Sequence, residues 1–363
     1  MSGGVESITL TKEAVVTDRI DAYVWGLLTL AMSLGMNIES EIPISKSLYY
    51  NIEYHFIDSL SYHNPEWQKI HIEAPLIDDV QSNQAHIVAT GISCGIDSLY
   101  TIATHTDANI PDTHAINTLA FFNAGASYYP DQPLRSDLVN ARIDMAKHFA
   151  SEYGYNFLFV ESNLPQTIAK YRAYSHVENH TYMMLFCTYM LQGSIKHYYY
   201  SSGFSYEKFS FNAIAKNHGD AAYYDLFTLS MASIGSIKYH STGGSVTRFE
   251  KTKALIDYAP AHNYLNVCVR TIDNCCTCYK CIRTIFSLEA LGATDKFTSV
   301  FDINKFNKNR HFWLRELYYG ATYGGDLFSK EIAPYFKKEF TLSLKARVAI
   351  SALKNFLLRN THK

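Results

Sequence analysis

Between residues 85 and 240 the chain alternates short apolar runs with helical stretches, and this alternation constrains the fold more than any other feature of the sequence. The runs at 85–92, 115–122, 156–160, 197–201 and 236–240 read as strands. Helices are predicted between them at 97–105, 134–153 and 178–191. The second carries Leu138, Met145 and Phe149 on one face and is followed by Gly154, a residue suited to the left-handed turn that ends helices. The third is apolar nearly all round and is expected to be buried. Strand–helix alternation predicts an α/β fold with a doubly wound parallel sheet, whose ligands bind beyond the C-terminal ends of the strands.

Three regions follow from this reading. Residues 1–82 hold helical patterns at 18–36 and 45–60 and form an N-terminal, mainly helical subdomain. Residues 83–242 form the α/β domain. Residues 243–363 hold a cysteine cluster and a helical tail. The chain has 363 residues, 47% of them hydrophobic, enough for one large core or two smaller ones. Only 18% are charged, which excludes a disordered chain, and the net charge of -2 argues against a surface coated for nucleic acid. The basic residues of 337–363 read as a solvated helix face. Residues 1–16 lack a basic start followed by an apolar stretch, and the longest apolar run, 22–32, is too short for a bilayer, which takes roughly 20 apolar residues. No membrane partner and a cytoplasmic location are expected.

The segment Ser93-Cys94-Gly95-Ile96-Asp97-Ser98 joins the first of these strands to the first helix. A loop there offers backbone N–H groups at a helix N-terminus, where the helix dipole also favours an anion. Gly95 lets the backbone approach phosphate oxygens, and Ser93 and Ser98 add hydroxyl donors. Asp97 is placed to cap the helix or to help hold Mg²⁺ beside a pyrophosphate. Neither GxxxxGK[ST] nor, after this strand, GxGxxG occurs.

Seven cysteines are present, five of them between Cys268 and Cys281. Cys275, Cys278 and Cys281 make CxxCxxC, and Cys268 supplies a fourth ligand, a set suited to a closed structural zinc site. Cys276 is left over, although it can trade places with Cys275. An iron–sulfur cluster and a redox dithiol are the alternatives. The ferredoxin run wants a further cysteine followed by proline, where this chain has Ile285 and Phe286.

Ser93–Ser98 resembles the SGGxDS signature of the PP-loop ATP pyrophosphatases, with Cys94 where that family has glycine. Together with Cys268, the run Cys275–Cys281 and Arg283, the chain is similar to the cyano-deazaguanine synthases of queuosine biosynthesis, which carry CGxCxxC followed by an Arg; Cys276 stands at the glycine. The resemblance covers about residues 85–292 and omits the N-terminal region and the tail, as a divergent relative with another substrate would. It implies a Rossmann-like fold of the HUP type, ATP, Mg²⁺ and Zn²⁺, and adenylation of a carboxylate with release of pyrophosphate. Ammonia then displaces AMP to give an amide, and a second round gives a nitrile. A homodimer and an acceptor that is a small molecule or a protein are also implied.

Ser93, Asp97, Ser98, Arg248 and Lys251 are the expected catalytic residues. Arg248 and Lys251 follow the glycine pair Gly243-Gly244 after the fifth strand and are spaced to close over polyphosphate. Nucleotide contacts are expected from Ser93, Cys94, Gly95, Ile96, Asp97 and Ser98, from Ser201 and Ser202 after the fourth strand, and, by analogy of fold, from Asn123 and Gly125. Metal ligands are Cys268, Cys275, Cys278 and Cys281. His218, Asp220 and Asp225 are further candidates for binding substrate or Mg²⁺, and Arg172, which precedes His176 and Glu178 near the start of the buried helix, for holding a substrate carboxylate. Two other functions fit the same fold. One is a tRNA-modifying sulfur transferase, using Cys94 or Cys187; the other is a protein-modifying relative or a degenerate nucleotide-binding module.

Overall fold

The structure is a computed structural model that describes residues 5–10, 17–81, 85–126, 136–211, 219–235 and 237–360, with the backbone alone for 5–10 and 354–360. The fold is mixed α/β, and the chain divides into two compact units, Met1–Ser93 with Thr101–Ser245, and Cys94–Tyr100 with Val246–Lys363.

The first unit is built on a six-stranded sheet: β1 (Val5–Leu10), β2 (Ile87–Gly91), β3 (Thr118–Asn123), β4 (Asn156–Ser162), β5 (Ile195–Ser201) and β6 (Lys238–Thr242), in the order β1-β4-β3-β2-β5-β6. Strands β2 to β6 are mutually parallel, and β1 runs antiparallel to β4 at the edge. The five parallel strands are those expected from the apolar runs, shifted by a few residues; residue 236, in the last expected strand, lies outside the described residues. Strand β2 lies between β3 and β5, and its first four residues are buried, as a sheet covered on both faces requires.

Helices α1 (Asp21–Leu34), α2 (Ile96–Ala103), α3 (Ser136–Glu152) and α4 (His176–Tyr189) follow the expected pattern. The start expected for α3 at 134 lies outside the described residues. Gly154 has φ +76°, the left-handed conformation that ends α3. Helix α4 is buried on nearly every side, as its composition requires. It packs against α1, where Trp25 meets Phe56 edge-on at 5.3 Å and Tyr182 at 6.3 Å. Gly26 makes the approach of α1 possible: a Cβ there would stand 2.4 Å from Leu164 and 3.0 Å from Phe186. The fully buried Asp21 is satisfied by Ser45 N–H at 2.9 Å, the Ser45 hydroxyl at 2.5 Å and Gln192 at 2.9 Å. The helices of the N-terminal region therefore share one core with the sheet.

The second unit is helical. Its main elements are α5 (Arg248–Ala254), α6 (Tyr279–Ala290), α7 (Arg310–Thr322), α8 (Leu327–Ile332) and α9 (Leu342–Asn360). Phe286 of α6 packs edge-on against Phe306 and Phe336. Arg310 bridges Glu289 at 2.9 Å and Glu339 at 2.6 Å. Leu344 and Val348 form a buried stripe on α9, while Lys345 and Arg347 are exposed, a solvated face as expected. Among the described residues no helix is long and apolar enough to cross a membrane.

Candidate functional site

Strand β2 ends at Gly91 and α2 begins at Ile96, so residues 92–95 are the turn between strand and helix. The turn passes through Cys94, which is buried and has φ +55°. A side chain is strained in that region, by about 1 to 2 kcal/mol. Among the described residues only Cys276 shares this property, with φ +57°. The Ser98 hydroxyl donates back to the Gly95 carbonyl at 3.1 Å and tightens the first turn of α2. Ser93 is exposed and belongs to the first unit, whereas Cys94–Tyr100 packs with the second.

In the second unit the loop meets α5. Asp97 accepts from Arg248 at 2.5 Å and from Lys251 at 3.0 Å. The ammonium of Lys251 is enclosed, its side chain 2% exposed, so the carboxylate is needed to keep that charge in place. Helix α5 presents both cations because Thr247 and Glu250 form a reciprocal capping box that fixes its first turn. Arg248 also lies 4.3 Å from the centre of the Phe328 ring. The three residues are far apart in sequence and the fold brings them to one point.

Lys280, Asp326 and Phe328, none of them expected from sequence to take part, belong to the same neighbourhood, together with Arg283, which the sequence marked only as the arginine after the last cysteine. Arg283 donates to Asp326 at 3.0 Å and lies 4.5 Å from the Phe328 ring and 5.1 Å from that of Tyr279. Burial lowers the pKa of Lys280, and the nearby Arg248 and Arg283 lower it further, the mark of crowded positive charge. The signals were present but faint: a cation inside the cysteine run, another two residues beyond it, and Gly324-Gly325-Asp326 before Ser329, a helix-start pattern.

The four cysteines form the second centre. The ligand atoms of Cys268, Cys275, Cys278 and Cys281 all lie within 4.8 Å of one another, a group that can hold a metal ion. The sulfurs of Cys268 and Cys278 are 3.9 Å apart, those of Cys275 and Cys281 4.0 Å, and those of Cys278 and Cys281 3.4 Å. A tetrahedral zinc with bonds of about 2.3 Å needs separations of about 3.8 Å, so the donor set fits that ion. Backbone N–H groups already point at the sulfurs: Cys278 to Cys275 at 3.2 Å and Arg270 to Cys268 at 3.3 Å. The hydrogen bond between Cys278 and Cys281 pulls the Cys278 pKa down and pushes that of Cys281 far up, so the two sulfurs share one proton. Asn274 sews the segment together, accepting from Val267 at 2.9 Å and donating to Leu265 at 2.8 Å and Val300 at 3.0 Å. Cys276 is outside this group and hydrogen-bonds the Asn274 carbonyl at 3.3 Å. Asn266, two residues before Cys268, donates its N–H to the Cys94 carbonyl at 2.8 Å, which ties the cysteine segment to the loop within the second unit.

Compared with known proteins, the chain matches no family model, and neither a curated protein nor a solved structure matches it. The site therefore has to be read from its own chemistry.

The remaining sequence candidates lie in the first unit and have internal partners. Asn123 donates to Glu161 at 2.5 Å. Gly125 has φ +109° and faces the Tyr174 hydroxyl. The Ser201 hydroxyl donates to Thr101 at 2.8 Å, and that of the buried Ser202 to Asp225 at 2.7 Å. Arg172 pairs with Glu178 at 2.6 Å, and His180 with Asp220 at 3.4 Å. His218 lies outside the described residues. Cys187 is fully buried, and burial pushes its thiol pKa far up.

Proposed function

We propose that this protein is an ATP pyrophosphatase of the PP-loop type, with the HUP variant of the Rossmann-like fold, that adenylates a carboxylate and releases pyrophosphate. One observation carries the reading: a strand-to-helix turn whose first helical residues, Asp97 and its neighbours, meet the converging cations Arg248 and Lys251. The Asp97 carboxylate draws both cations to the start of α2, where a phosphate would meet them. The backbone supports it too. Cys94 and Cys276 replace the glycines of the two signature motifs, and they are the two non-glycine residues with left-handed φ among those described. Both positions carry the backbone conformation that glycine adopts most easily, as the two motifs would require.

In this reading the turn at 93–98 and the start of α2 bind the polyphosphate through backbone N–H groups, and Arg248 and Lys251 neutralise the charge that grows on the departing pyrophosphate. A carboxylate oxygen is a poor leaving group and AMP a good one, so attack of the carboxylate on the α-phosphorus prepares the acceptor for a nitrogen nucleophile such as ammonia. Mg²⁺, when bound, adds positive charge at the phosphates, and Asp97 is the carboxylate placed to hold it. Cys268, Cys275, Cys278 and Cys281 would hold Zn²⁺ as a structural ion, which would anchor the start of α6. The acceptor is a small molecule or a protein chain. Sulfur transfer by Cys94 or Cys187 is the less supported reading, because both thiols are buried.

The test is product analysis with α-³²P-labelled ATP, Mg²⁺ and a cell extract as acceptor source. AMP or an AMP adduct is expected, and Asp97→Ala should reduce it by about 100-fold or more. ADP as the sole product, or AMP formation untouched by Asp97→Ala, would overturn the reading.

A further inference from the structure

We propose that Arg283 is a second anion-binding guanidinium of this site, held in place by the tail residues Asp326 and Phe328 until a phosphate chain draws it from Asp326. The proposal rests on the reading of Arg248 and Lys251 as anion ligands and extends it to the cysteine helix and the tail.

The geometry shows two arginine–aspartate pairs sharing one ring. Arg248 pairs with Asp97 and lies 4.3 Å from the Phe328 ring centre; Arg283 pairs with Asp326 and lies 4.5 Å from it. The two guanidinium carbons are thus no more than about 9 Å apart, comparable with the Debye length of about 8 Å at physiological salt, and repel unless anions lie near them. Each is held by a carboxylate, the acceptor that most resembles a phosphate face. Arg283 is also accessible to a ligand. Its side chain is 15% exposed and, with Arg270, Tyr279, Trp313, Glu316 and Asp326, lines a cleft of about 410 Å³. Asp326 is not committed to Arg283 alone, since it caps α8 by accepting from Ser329 N–H at 3.1 Å. It keeps that role when the arginine leaves, so exchange of Arg283 to a ligand costs one ion pair and no helix cap. Phe328 is the positioning residue: its ring packs against both guanidinium groups.

The experiment is titration of the full chain with inorganic pyrophosphate by calorimetry at two salt concentrations. Arg283→Gln should weaken binding about 10-fold, the loss of one charge-assisted contact, and flatten the salt dependence. Asp326→Asn, which keeps a capping side chain but removes the competing charge, should tighten binding several-fold; mere structural damage would weaken it. Phe328→Ala should weaken binding, and Phe328→Tyr should restore it. Metal content and thermal midpoint are measured on each variant to confirm the fold. Binding by Arg283→Gln equal to that of the parent, or weakening by Asp326→Asn, overturns the proposal. If the parent binds and Arg248→Gln abolishes binding while Arg283 and Asp326 are silent, only this inference fails. If the parent does not bind pyrophosphate, the anion-site reading fails with it.

Discussion

Cys94 shows what a single backbone dihedral decides. At φ +55° a Cβ is strained, so the usual ranking of small residues should reverse there. Cys94→Gly is expected to be more stable to urea than Cys94→Ala by about 1 kcal/mol, since both remove the thiol and differ only in the Cβ. Equal stability, or a more stable alanine variant, would mean that the left-handed turn is not what the loop requires. Asp97 is the other deciding residue. Its place in the motif was readable, but its partners were not: Arg248 is 151 residues away and Lys251 is 154 residues away along the chain.

At the scale of elements, β5 and β6 carry a histidine cluster that no motif announced. The two strands are parallel with Lys238 opposite His197 and His240 opposite Tyr199, which puts His197, Tyr199 and His240 on one face. His197 Nδ1 is 3.0 Å from His240 Nε2, and the His114 ring lies 4.4 Å from that of His197. Burial pushes the His197 pKa down to about 4, and His114, His240, Lys196 and Lys238 add to the effect. Burial, His114 and His105 lower that of His240 as well. A histidine whose folded pKa lies below the ordinary value binds fewer protons in the native state than in the unfolded one. Its contribution is therefore present above about pH 6.5 and is lost as pH falls toward 4. Stability should fall between these limits, by on the order of 2 to 3 kcal/mol for His197. Denaturant titrations across that range should show the slope in the parent and a shallower one in His197→Asn. A parent with flat stability from pH 6.5 to 4 would contradict the assignment.

At the scale of the whole molecule, the chain lends seven residues, Cys94–Tyr100, to the unit that is otherwise its C-terminal part. That unit holds the four cysteines, and structural zinc sites supply folding free energy outright. Metal analysis should find one zinc per chain. Stripping it with a chelator should lower the thermal midpoint by about 10 °C or more and abolish pyrophosphate binding, because Asn266, Arg248 and Arg283 lose their support. Iron in place of zinc, or a midpoint indifferent to chelation, would sink the structural role of the metal.

The sequence alone determined the parallel strands, the buried helix α4, the strand-to-helix loop and the grouping of four cysteines, because each is written locally: in apolar runs, in periodicity, in glycine and in spacing. The edge strand β1 was missed, since Val5–Leu10 is bonded on one side only and carries no strong apolar run. The convergence of Asp97, Arg248 and Lys251, the pairing of Arg283 with Asp326 and the shared Phe328 ring were decided only by tertiary structure. Charged side chains leave no periodic trace of their partners; which cation meets which carboxylate depends on where the helices that carry them pack, and apolar contacts elsewhere in the chain settle that.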